Sequence, residues 1–155
     1  MSAQLEADLA VLEELLDDLS DLIRPLDAAA LNWAPLGEGT NSIAALVVHT
    51  SGSTASWLAR AVGETLPRDR EAEFRSRGSA SSLLDAVERC RDDARRRFRQ
   101  LEGSEMASLR HVHRLRGDAD ADVSVAWCVE HALAHAAEHW GQIQLTAQLY
   151  AARAS

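Results

Sequence analysis

Apolar residues along this chain recur at the three- and four-residue spacing of helices, in four blocks separated by polar or Pro/Gly-rich stretches. In the first block Leu5, Leu9, Leu12, Leu15, Leu16, Leu19 and Ile23 are interleaved with acids, which predicts an amphipathic helix over 3–24 that stops before Pro25. "NWAPLGEGTNS" reads as a loop, with Thr40, Asn41 or Ser42 available to cap a second helix over about 42–62. Ile43, Leu46, Val47, Thr54, Trp57, Leu58 and Val62 form its stripe. After the polar connection "GETLPRDREAEFRSRG", Ser79 or Ser81 can cap a third helix running to about 101, with Leu83, Leu84, Val87, Cys90, Ala94, Phe98 and Leu101 inward. The run "RDDARRRFR" is read as the solvated face of that helix. "RHVHRLRGDADAD" is extended or irregular with a turn, and no strand longer than a few residues is expected. A fourth long helix follows over about 123–152. Four amphipathic helices of similar length bury their stripes most easily against one another, so the expected architecture is all-α: a four-helix bundle, as a single domain over 1–155.

Charge narrows the partners. The formal net charge is −8 and all 16 basic residues are Arg, a balance that argues against nonspecific binding to nucleic acid or to an anionic membrane. Acids stand near the N-terminus where a signal peptide carries positive charge, and no apolar run approaches the roughly 20 residues of a membrane span. Cys90 and Cys128 show neither CxxC nor metal-ligand spacing and are read as buried thiols, which suits a reducing cytoplasm.

Candidate chemistry lies in "HALAHAAEHWGQIQ", where His131, His135 and His139 repeat every four residues on one helix. Residues i and i+4 lie one turn apart on the same face, so an adjacent pair can chelate one ion. The outer two are about 12 Å apart at 1.5 Å per residue, which leaves either His131 with His135 or His135 with His139. A first-row divalent ion then needs a further ligand from another helix. His49 is the best candidate, inside the second helix among small neighbours, Ala45, Gly52, Ser53 and Ser56, that leave room for an ion, a ligand or a close helix. His111 and His113, flanked by arginines, are read as surface residues, and Glu130 and Glu138 as solvated. No Glu directly follows a histidine of a candidate pair, so the zincin pattern is absent. Trp33, Trp57, Trp127 and Trp140 read as core or pocket wall.

Three stretches in order, "LNWAPLGEGTNSIAALVVHTSG", "RDREAEF" and "HALAHAAEHWGQIQL", resemble those of the DinB-like superfamily of four-helix-bundle metalloproteins. The resemblance spans nearly the whole chain. It implies that His49, His135 and His139 hold a divalent transition metal such as zinc, nickel or iron, with a position open to water or substrate, and that His131 falls outside the set. On this reading Gln142 faces the same side as His139 and orients a ligand or water, while Gly141 lets a neighbouring helix approach. Related proteins include S-transferases that use a low-molecular-weight thiol such as mycothiol or bacillithiol, and others described as metal-dependent hydrolases.

The expectation is therefore a metal-dependent small-thiol S-transferase acting on a small-molecule substrate, with a metal-dependent hydrolase as the alternative. A third reading, from another class, is a noncatalytic dimeric helical bundle. Three protein ligands favour the enzyme classes, because a structural zinc site normally closes with four. The resemblance also implies a homodimer.

Overall fold

The computed structural model describes residues 2–101, 105–116 and 119–153, without the side chains of Glu38 and of residues 114–116. Four long helices dominate: α1 (Ala3–Ile23), α3 (Ile43–Ala61), α5 (Ala80–Gln100) and α6 (Val125–Ala152), with short helices α2 (Ala28–Leu31) and α4 (Arg70–Phe74) in the connections. Their bounds agree with the hydrophobic spacing to within a residue or two because each start is fixed by a serine. Ser2, Ser42, Ser79 and Ser124 accept from the backbone N–H three residues on, and Ser79 and Ser82 form a reciprocal capping box. Arg24, before Pro25, caps α1.

Each of α1 and α3 packs against both α5 and α6, so α1 and α3 face each other across the bundle diagonal. Leu12 and Ile23 of α1, Ile43, Leu46 and Leu58 of α3, Leu83 and Phe98 of α5 and Ile143 of α6 fill the space between them, all essentially inaccessible to water. At about 25 cal/mol per Å² of apolar surface removed from water, this burial is the main force holding the helices together.

Three expectations need correction. First, "RHVHRLRGDADAD" is not free of regular strand: β1 (Leu109–Arg116) and β2 (Ala119–Ser124) pair antiparallel, with Leu109 opposite Ser124 and His111 opposite Asp122. The alternation that makes it a hairpin is carried by few apolar residues, chiefly Val112 and Val123, which face the core while charged neighbours face out. Second, the arginine run is only partly solvated. Arg97 is buried between Asp93 and Glu64 at 2.7 and 2.9 Å, and Arg91 is buried against Asp17 at 2.7 Å, so these cations are neutralised where they leave water. Third, the polar connection before α5 contains α4, whose N-terminus Asp69 caps through Ala72 N–H.

Both cysteines are buried and unbridged, as expected. Burial and the neighbouring Asp93 push the Cys90 thiol up to about 12, so it stays protonated and inert. Among the described residues no helix is long and apolar enough to cross a membrane.

Candidate metal centre

The α3–α6 contact is the most extensive in the bundle, and it brings His49 against the histidine row of α6. One ligand-capable atom from each of His49, His135 and His139 lies within 4.8 Å of the other two. The His49 ring centroid is 5.2 Å from that of His135 and 4.9 Å from that of His139, and the two α6 rings are 4.4 Å apart. His49 and His139 are buried, and His135 is half-buried.

The hydrogen bonds at the outer ring nitrogens orient two of these rings. His49 Nδ1 donates to Glu73 Oε2 at 2.9 Å, and His139 Nδ1 donates to the Gln142 side-chain oxygen at 2.9 Å. A neutral imidazole carries one N–H, so each Nε2 is left with a lone pair aimed inward. His49 Nε2 is buried with no protein partner. His139 Nε2 faces His135 Nε2 at 3.2 Å, close to the roughly 3.3 Å between two imidazole nitrogens that each sit about 2.05 Å from one tetrahedral ion. Two buried nitrogens without a protein partner, His49 Nε2 and His135 Nδ1, and the close Nε2–Nε2 contact of His135 with His139 make a donor set that fits a divalent transition metal.

α4 supplies the support around His49. Glu73 is itself gripped by Arg68, whose Nε and Nη2 reach Oε1 and Oε2 at 2.9 and 2.5 Å in a bidentate fork. Phe74 stacks on the His49 ring with centroids 4.1 Å apart and planes 24° apart. Gly52, one turn beyond His49, makes this possible: a Cβ there would lie 2.7 Å from Glu73 Oε1. The room that small residues leave around His49 is thus filled in part by the protein's own carboxylate. Arg68, Glu73 and Phe74 carry no signal in the sequence beyond the resemblance of "RDREAEF".

Burial lowers the His49 pKa, against the opposing pull of Glu73, and lowers that of His135 to about 3 through burial first and the neighbouring imidazoles second. Both rings are therefore neutral at physiological pH, the form that ligates.

His131 stands one turn before His135, its ring 6.0 Å away, stacked on Trp127 at 4.6 Å and meeting Trp57 edge-on at 4.5 Å. It belongs to the aromatic wall, as do two of the four tryptophans. Glu130 and Glu138 are exposed. Gly141 is not a point of helix approach: it lies on the solvent face, with nothing within 4 Å of a Cβ added there, because it sits two residues round the helix from His139. A cavity of about 560 Å³ is lined by Trp33, Leu36, Leu46, Leu145, Leu149 and Gln142, the residue that holds His139 Nδ1. Another, of about 350 Å³, is lined by Gly52, Arg68 and Glu73 among others.

With this fold and this cluster in place, comparison with known proteins assigns the class. The chain matches the DinB superfamily over residues 11–143 and belongs to it. Its structure is similar to that of a conserved protein from Enterococcus faecalis, at 14% identity and a TM-score of 0.75, covering 96% of this chain and 97% of that one. It is also similar to YfiT from Bacillus subtilis, described as a probable metal-dependent hydrolase with an unusual four-helix bundle topology, at 15% identity and a TM-score of 0.72, covering 96% and 89%. No curated protein matches by sequence.

Proposed function

We propose that the chain binds one divalent transition ion through His49, His135 and His139 and acts as a small-thiol S-transferase. The observation that carries this reading is the pair of outer hydrogen bonds, Glu73 on His49 and Gln142 on His139, which leave the Nε2 of each ring for a ligand, in a cluster where ligand-capable atoms of the three histidines lie within 4.8 Å of one another. When bound, such an ion supplies Lewis acidity that lowers the pKa of a thiol or water beside it, because three neutral imidazoles leave its charge uncompensated. Three imidazoles suit zinc, nickel or iron alike.

The chain's own groups bear on which reaction follows. Glu73 contacts the cluster, but both its oxygens are engaged by Arg68 and His49, so it serves to orient His49 rather than to carry protons. Thiolate transfer to an electrophile needs less proton movement than hydrolysis does, which favours the transferase. Hydrolysis is the second reading, favoured by the description of YfiT. Elemental analysis of untagged protein, followed by assay against a panel of small thiols with electrophiles and a panel of esters and amides, tests both. The expected result is a stoichiometric transition metal and turnover of a thiol. Turnover confined to the second panel would replace the transferase with the hydrolase, and protein that neither holds nor takes up metal would overturn the metal reading altogether.

A further inference from the structure

The hairpin before α6 carries a second cluster, separate from the first. His111 and His113 on β1 and Asp120 and Asp122 on β2 are all exposed, whereas Val112 and Val123 turn inward, so the two histidines and two carboxylates share the outer face. Register places His111 opposite Asp122. The rings of His111 and His113 lie 4.7 Å apart, centre to centre.

His111 Nδ1 is 2.8 Å from Asp122 Oδ1, which turns the opposite nitrogen, Nε2, toward Asp120 Oδ2 at 3.5 Å. The same Asp120 oxygen is 3.0 Å from His113 Nδ1. One ligand-capable atom from each of His111, His113 and Asp120 lies within 4.8 Å of the others. A neutral His111 that donates Nδ1–H to Asp122 has only a lone pair at Nε2, and that lone pair faces a carboxylate oxygen. A proton on Nε2 or a metal ion would join that pair, and Asp120 is held besides by its contact with His113 Nδ1. Two imidazoles and one carboxylate form a ligand set for a divalent transition ion, and a carboxylate on the outer nitrogen of a ligating histidine is the usual way such a ring is oriented.

We propose that His111, His113 and Asp120 form a second, surface site for a divalent transition ion of the zinc, nickel or copper(II) type, with Asp122 orienting His111. Binding there ties β1 to β2 through side chains. This site does not depend on the His49 cluster, and either one can exist without the other.

The test is a titration of untagged, metal-free protein with Zn²⁺ against a chromophoric chelator at neutral pH, with histidine ring resonances followed by NMR in the wild-type protein. The expected result is two equivalents, the weaker of which shifts the His111 and His113 signals. That equivalent should vanish in the double variant His111→Ala/His113→Ala and bind at least tenfold more weakly in Asp122→Asn, as loss of an outer partner does elsewhere. It should persist in His49→Ala/His139→Ala. If the His49 cluster took up nothing while one equivalent was lost with His111 and His113, the hairpin site would stand and the proposed metal centre would fall. The hairpin site is overturned if wild-type His111 and His113 signals do not move with Zn²⁺, or if every bound equivalent survives in the hairpin double variant.

Discussion

Gly52 and Glu73 show how closely one residue can govern the centre. With no side chain at position 52, the Glu73 carboxylate sits against α3 and holds the His49 Nδ1–H. Gly52→Ala would place a Cβ 2.7 Å from Glu73 Oε1, forcing the carboxylate and its Arg68 fork to shift. The expected effect is a loss of about tenfold in metal affinity with the helices intact, the scale on which outer partners act. A competition titration reads it, and unchanged affinity would show that Glu73 does not orient the ligand. The candidate histidines were legible in the sequence because four-residue spacing puts them on one helix face. Glu73 was not, since 24 residues separate it from His49 and only tertiary packing makes them neighbours.

Between elements, the α3–α6 interface holds His49 and His135 in a medium that disfavours their charged forms. The sign follows from the direction of the shift. With a folded pKa near 3 against an ordinary 6.5, His135 takes up a proton in the unfolded chain but not in the folded one as pH falls below 6.5. The metal-free protein should therefore lose stability on going from about pH 7.5 to 5.5. His111 acts in the opposite sense, since Asp122 raises its pKa, but it is exposed and its effect is screened. Urea unfolding of wild type and His135→Gln across this range isolates the contribution: the variant should show the shallower decline, and parallel curves would contradict a buried neutral His135. The four long helices were legible because their apolar stripes and serine caps agree. The hairpin and α4 were not, because β1 and β2 bury few residues and none of α4 is fully buried, which leaves little hydrophobic period to detect.

Across the whole molecule, the bundle buries its core between helices and leaves Leu36 in the α2–α3 connection and Leu145 and Leu149 on α6 exposed at 80%, 55% and 44% around the larger cavity. We expect two copies to pair, so light scattering should give about twice the chain mass of 16.9 kDa, and a monomer mass at assay concentration would contradict pairing. The bundle's larger consequence is to bring one histidine of α3 to two of the three on α6. Metal titration of wild type beside His49→Ala, His135→Ala, His139→Ala and His131→Ala, following the tighter equivalent, tests that assignment most directly. Each of the first three substitutions should cost at least about tenfold in affinity, and His131→Ala should cost less because that ring is packed between Trp57 and Trp127. Loss of binding in His131→Ala with binding retained in His139→Ala would contradict it.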